Sequence, residues 1–427
     1  MALPRIRTPD ASDFADGPGP GALHRGTPRA WWWTASLPLS VAAVIAPPAA
    51  VLQSKAMAPI AILCMLLAVL AHRREAGRWP WPRGLAMLPL VGLAAWGALS
   101  SLWAPDWGWA LTAAGNLAGL ALLGGACAVV VEEEGPAARR NLVWCLLAGL
   151  TLGIALATID DATGQSIRAA VRGLKTSRPG LEFGLKPAAS VMALLLPLLL
   201  RLRVGAGWRW LLLGAGAGAI LILPGDTAKI AAVAGVLVAG LVWVGGRAMS
   251  CFLAVILAGG LLASPLLVPL MLRPDLAQRA PNSALHRMLI WDFALERAAE
   301  RPLLGWGMEA SRKLPGGHDR PSPESLARLG IVPEGKHAFF AQQGVERMSL
   351  HPHNGALQIR LELGWIGLAL AALAVLALGW GAPPVAAGVL ASGAVTFMAS
   401  FGVWQPWWLA TEAFAAALAA GLAARRV

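Results

Sequence analysis

Apolar residues run in long blocks through most of this 427-residue chain, broken by short polar joints. A membrane-spanning helix needs roughly 20 apolar residues. Twelve blocks read that way: about 35–52, 56–71, 84–103, 109–131, 141–159, 187–201, 208–224, 229–246, 249–272, 356–380, 384–401 and 405–423. The second and sixth are the shortest. A single long polar stretch, 273–354, separates the ninth block from the tenth. The pattern predicts an all-α polytopic membrane protein of about 12 transmembrane helices, with one long, partly helical loop between helices 9 and 10. Residues 1–34 read as a disordered tail and 35–272 as helices 1–9. The loop is 273–354, and 355–427 holds helices 10–12 and a short tail.

The loop has its own pattern. Asn282-Ser283 suits a helix N-cap. Leu285, Met288, Trp291 and Leu295 then recur at helical spacing up to about Ala299. Arg287 lies at the edge of that stripe. Arg301-Pro302-Leu303-Leu304-Gly305-Trp306-Gly307 reads as a turn, and 313–348, rich in Pro, Gly and charge, as an irregular cap.

Composition fits this class. Hydrophobic residues make up 57% and charged ones 14%, too apolar a balance for a soluble globule. The net charge of +12 therefore speaks to orientation, and nucleic acid is not an expected partner. The joints at 72–83, Arg139-Arg140, Arg201-Leu202-Arg203 with Arg209, Arg247, and Arg425-Arg426 are basic. Counted from a cytoplasmic N-terminus, all lie inside. Both termini are then expected in the cytoplasm and the loop 273–354 outside. The four cysteines fall in apolar blocks, so no disulfide framework is implied.

Two places carry chemistry. The outward joint 160–186 is basic, with Arg168, Arg172, Lys175, Arg178 and Lys186. That runs against the orientation bias and suits either lipid headgroups or a phosphate site. Lys229, at the start of the next outward helix end, adds a cation that serves a function or snorkels to the interface. The second place is His351-Pro352-His353-Asn354, at the mouth of the tenth helix; five of the seven histidines lie in the loop that it closes. Asn354, Gln358 and Glu362 follow at i, i+4 and i+8, on one face. Asn354 suits a cap. Glu362 sits two turns deep and needs a partner, for which an arginine of a neighbouring helix would serve. The stripe also suits helix–helix polar contacts. Pro352 is expected to turn His351 away from the helix. His286, His318 and His337 read as ordinary loop residues. His351-x-His353 offers two metal ligands with nothing beside them to complete a set, so no metal and no cofactor are expected. Gly330 to Lys336 imitates a phosphate loop but lacks its Ser or Thr and its preceding strand.

Three blocks together resemble the O-antigen ligase and polymerase superfamily of bacterial envelope proteins. They are Ser177-Arg178-Pro179-Gly180; Arg287-x-x-Ile290-Trp291 through Glu300-Arg301-Pro302-Leu303-Leu304-Gly305-Trp306-Gly307; and His353-Asn354-x-x-Leu357-Gln358-x-x-x-Glu362-x-Gly364-x-x-Gly367. Where that family often has Ser-Arg opening the eighth helix, this chain reads Ala228-Lys229. The resemblance implies periplasmic glycosyl transfer at the bacterial inner membrane. The donor would be a glycan on undecaprenyl pyrophosphate and the acceptor lipid A-core or another glycan. His353 is then expected as general base and Arg178, Lys229 and Arg287 as diphosphate ligands, with Arg287 counted as catalytic. His351, Asn354, Gln358 and Glu362 would support them, while Arg168 would matter less. A polymerase or protein O-oligosaccharyltransferase would share these motifs. A transporter or lipid flippase would instead spread its charges through several helices and show internal repeats.

Overall fold

A computed structural model describes residues 34–175, 180–332, 334–335, 337–340, 345–348 and 350–423. The expected tail therefore lies outside the described residues, as does Arg178. Every apolar block is helical. Helices α1 (Leu37–Leu52), α2 (Met57–Ala76), α3 (Met87–Leu99), α4 (Trp107–Glu133) and α5 (Pro136–Ala162) come first. A short α6 (Ser166–Val171) precedes α7 (Leu185–Leu195), which tightens into a 3-10 segment, Leu196–Arg201. Then come α8 (Ala206–Leu221) and α9 (Asp226–Leu267). The polar stretch forms α10 (Pro274–Arg279), α11 (Asn282–Glu300) and α12 (Pro323–Arg328). Helices α13 (Gly355–Gly379), α14 (Pro384–Ala399) and α15 (Pro406–Ala423) close the described chain.

Among the described residues, five stretches are long and apolar enough to cross a membrane: Ser54–Ala76, Trp107–Glu133, Pro136–Ala162, Asp226–Met271 and Gly355–Gly379. Shorter apolar helices at Leu37–Leu52, Met87–Leu102 and Pro384–Ala399 pack among them. Small residues allow the close approach. A Cβ on Gly149 would strike the α1 backbone at Ala43, and one on Gly388 the α9 backbone at Gly235. Large apolar side chains such as Leu63, Leu70, Leu237 and Val244 point outward, as a lipid-facing surface requires.

As one rod, α9 would measure about 63 Å, twice the roughly 30 Å of a bilayer core. It is instead broken at Gly246 (φ 59°, ψ −147°). Its two halves run in opposite directions. On the first half, Ser392 Oγ donates to the Ala231 carbonyl, and Thr227 Oγ1 donates to the carbonyl of Ala399. On the second, Ser250 Oγ donates to the Gly379 carbonyl, and Asn354 Nδ2 donates to Ser264 Oγ. Both ends of α9 thus lie at the His353 end of the bundle, and Gly246 lies at the other.

That other end collects the basic joints. Arg78, Arg83 and His72 converge on Glu133, at 2.7, 3.1 and 3.3 Å. Arg139 donates to the carbonyls of Gly421 and Leu422.

The polar stretch packs over the His353 end. Leu285 and Met288 are buried as the helical stripe predicts, in a small core with Ala277, Leu329, Ile331 and Phe340. Ile290, Phe293 and Ala294 face Leu357 and Leu361 of α13. The cap reading at Asn282 needs correction. Pro281 is the N-cap, and the Asn282 side chain meets His337 Nδ1 at 3.1 Å.

Candidate functional site

The site is built where α13 begins. Asn354 caps that helix, its Oδ1 accepting from the Leu357 N–H at 3.0 Å, a contact worth about 1 kcal/mol. Immediately before it, His353 adopts φ 55°, in the left-handed region that non-glycine residues seldom enter. Such strain costs on the order of 1–3 kcal/mol and persists only where surrounding contacts impose it. Two contacts do so here. Trp291 Nε1 of α11 donates to the Pro352 carbonyl at 2.8 Å. His353 Nδ1 lies 2.8 Å from the Ser400 carbonyl, at the turn after α14. A carbonyl only accepts, so Nδ1 carries the hydrogen and the neutral ring keeps its lone pair on Nε2.

His351 behaves differently from the expectation. Pro352 does not turn it elsewhere: its ring packs against that of His353, centroids 4.3 Å apart. It is buried, and its Nε2 has no partner among the described residues. Burial, then the neighbouring His353, then Arg312 and Arg287 push its pKa down to about 3, against a partial offset from the Ser400 carbonyl. Burial also holds His353 below the ordinary imidazole range. The Ser400 carbonyl opposes that shift, and Arg287 and His286 add to it.

Arg287 of α11 is half-buried, its charge acts on both histidine rings, and it pairs with no carboxylate among the described residues. Burial lowers its pKa. Lys229 sits in the first turn of α9, with Nζ 3.4 Å from the exposed Asp226. Its turn abuts the histidines through consecutive carbonyls. Thr227 Oγ1 donates to that of Ala399 at 3.5 Å, and His353 Nδ1 donates to that of Ser400.

Below the histidines, the polar stripe is fully enclosed, at 6% (Asn354), 2% (Gln358) and 0% (Glu362) exposure. Among the described residues no arginine meets Glu362, the partner that the sequence offered. Its Oε1 accepts from Ser311 Oγ (2.5 Å), Ser311 N (3.3 Å) and Gln358 Nε2 (3.1 Å). Its Oε2 accepts from Glu309 N (2.8 Å) and Trp404 Nε1 (2.5 Å). Gln358 Oε1 in turn accepts from Val403 N at 3.0 Å. The carboxylate thus fastens the 3-10 turn Ala310–Lys313 and the turn before α15 onto α13. Glu309, at the start of the 3-10 turn, has φ 61°, and its Oε2 accepts from Arg312 Nε at 2.8 Å. Sequence reading missed Ser311, Trp404, Arg312 and the Ser400 carbonyl. No spacing rule links them to α13, since they arrive from separate segments.

Arg168 also reads differently in three dimensions. It is fully buried, donating from Nε to Asp160 Oδ2 at 2.5 Å, from its backbone N–H to Asp160 Oδ1 at 2.9 Å, and from Nη1 to the Leu181 carbonyl. It braces the segment that leads to Arg178, and its removal would leave Asp160 buried and uncompensated.

Residues 188–372 match the family model described as O-Antigen ligase. Over this span, somewhat under half of its length, the chain is similar to the O-antigen ligase family. Lys229, Arg287, His351, His353 and Glu362 fall inside the match; Arg178 falls before it. Three curated relatives share the description "Putative polysaccharide ligase". That of Rickettsia conorii is 25% identical over 207 residues, covering 45% of this chain and 46% of the relative. That of Rickettsia bellii is 28% identical over 212 residues, 45% and 47% of the two chains. That of Rickettsia typhi is 25% identical over 158 residues, 35% of each. The chain thus spans less than half the length of these relatives.

Proposed function

We propose that this multi-pass membrane protein is a glycosyltransferase of the ligase type, moving a glycan from undecaprenyl pyrophosphate to lipid A-core at the periplasmic face of the inner membrane. One observation carries the reading. A strained histidine is held by Nδ1 with Nε2 left as the basic nitrogen, and within electrostatic reach of it lies an arginine that meets no carboxylate among the described residues. His353 Nε2 takes the proton of the acceptor hydroxyl as its oxygen attacks the anomeric carbon of the donor sugar. The bond from that carbon to the phosphate oxygen breaks, and its electron pair leaves on undecaprenyl pyrophosphate. Arg287, with Lys229 and Arg178, receives the charge that develops on the diphosphate. His351, buried and far below the ordinary pKa, is too weak a base for the role and packs against His353 instead. Asn354, Gln358 and Glu362 keep the mouth of α13 in place.

The charge bias of the basic end around Glu133 supports a cytoplasmic place for that end, with His353 outside. Deleting the gene in its host and separating the envelope lipopolysaccharide on a gel tests the activity. Loss of long-chain material with accumulation of lipid-linked polymer is expected. Core capped by a single repeat would make the protein a polymerase, and an unchanged pattern would sink the reading.

A further inference from the structure

The end of the bundle opposite the histidines holds a second feature that glycosyl transfer does not use. The 3-10 segment Leu196–Arg201 runs into an extended joint, with Leu202 at φ −57°, ψ 134°. The joint separates its side chains. Leu200 and Leu202 are buried, while Arg201 and Arg203 stand exposed on the other side. One turn into α8, Arg209 reaches back, donating from Nη1 to the Leu200 carbonyl at 3.2 Å. Its guanidinium lies over Trp243 of α9, 5.5 Å from the ring centroid. Residues 200–204 and Arg209 line an open concavity of about 270 Å³. At ~30 Å³ per water, that is room for a polar headgroup rather than a lone ion.

Arg203 and Arg209 face no carboxylate among the described residues, and Arg209 Nε is buried without a partner. A guanidinium in that state calls for an oxyanion. The surroundings identify its source. Trp208 (65% exposed) and Trp243 (46% exposed) flank the arginines on the lipid-facing surface, and exposed tryptophans mark the headgroup level of a bilayer. Basic pockets between transmembrane helices at that level suit anionic headgroups.

We propose that the cavity formed by Arg201, Arg203 and Arg209 binds the phosphate of an anionic membrane phospholipid, seating it against the α7–α8 joint and the first half of α9. The site is separate from the histidine end, and the proposal does not rest on the glycosyl-transfer reading.

Native mass spectrometry of the full chain in detergent, with phosphatidylglycerol or phosphatidylcholine added, tests it. The wild type should retain phosphatidylglycerol in preference to phosphatidylcholine. Arg203→Gln, which changes an exposed side chain, should weaken that retention roughly fivefold, the effect of about one basic residue at a charged surface. Arg209→Lys, which keeps the charge and loses the planar fork, should also weaken it. Arg247→Gln, on the same end but outside the cavity, should leave it unchanged. Equal retention by Arg203→Gln, Arg209→Lys and the wild type would overturn the proposal. So would an equal loss in Arg247→Gln, which would mean diffuse surface charge. Displacement of the lipid by millimolar inorganic phosphate would assign the cavity to a soluble anion and overturn the lipid assignment.

Discussion

At the scale of the residue, the two histidines make different demands on experiment. Losing a general base costs about 10²- to 10⁴-fold in rate. His353→Ala should therefore abolish transfer from lipid-linked donor to lipid A-core while the protein stays in the membrane; His351→Ala should retain more activity. A dead His351→Ala beside an active His353→Ala would move the role to His351. Proton linkage separates the two further. A neutral imidazole buried below its unfolded pKa of about 6.5 lets the unfolded chain bind the proton first. Stability is then complete above about pH 6.5 and falls as the pH drops towards the His351 value near 3. The slope approaches about 1.4 kcal/mol per pH unit. Thermal unfolding between pH 7 and 4 should show this loss, and His351→Gln should flatten it. The activity profile should have its rising limb below the ordinary imidazole range, because His353 too is depressed. For Arg287, substitution by Lys keeps a charge and loses the fork. One charge-assisted contact to the leaving diphosphate is worth on the order of 2–4 kcal/mol, or roughly 30- to 1000-fold in rate. Wild-type turnover in Arg287→Lys and Arg287→Ala would remove it from the site.

At the scale of the element, α13 is two helices joined at Gly364 (φ 67°, ψ −166°). The turn Pro302–Gly307 crosses that break and takes over its hydrogen bonds. Trp306 N donates to the Leu361 carbonyl and Gly307 N to that of Glu362, while Trp365 N donates to the Pro302 carbonyl. Trp96 Nε1 of α3 donates to the Leu363 carbonyl. A backbone break deep in a bundle stands only when every freed group is answered in this way. The crossing leaves no room for side chains. A Cβ on Gly364 would overlap the Leu303 carbonyl, and one on Gly305 the Glu362 carbonyl. Two of the sequence blocks, 301–307 and 353–367, are thus the two strands of one crossing, which sets the height of the Glu362 clamp. Gly364→Ala should destabilise the fold by at least about 2 kcal/mol, from positive φ and the overlap together. Detergent-solubilised thermal unfolding would show it; an unchanged transition would mean that the crossing is loose.

For the whole molecule, the charges divide between two ends. Glu133, Arg139, Arg203 and Arg247 lie at one, and His353, Arg287, Lys229 and the folded polar stretch at the other. The proposed orientation, drawn from the basic bias of the short joints, has the first end in the cytoplasm. A reporter fused after Gly316, at the surface of the polar stretch, should be active only outside the cytoplasm. Activity only inside would invert the molecule and place the histidines on the wrong side for a periplasmic acceptor.

Hydropathy is a local property, so the sequence by itself determined the helical membrane class, the apolar blocks and the lone polar stretch ending at a helix mouth. It also marked Asn354 as a cap and Asn354, Gln358 and Glu362 as one face, because both depend on neighbours within two or three turns. The joint at Arg247, between the blocks 229–246 and 249–272, was legible, and the break at Gly246 lies beside it. Tertiary structure alone decided what those groups meet. Glu362 draws its donors from 309–311 and 404, His353 its acceptor from 400, and Arg168 a structural partner in Asp160. Each buried polar group must find a partner wherever packing brings one. Such partners carry no periodic signature, and the neutral donors around Glu362 stood where charge logic alone offered an arginine.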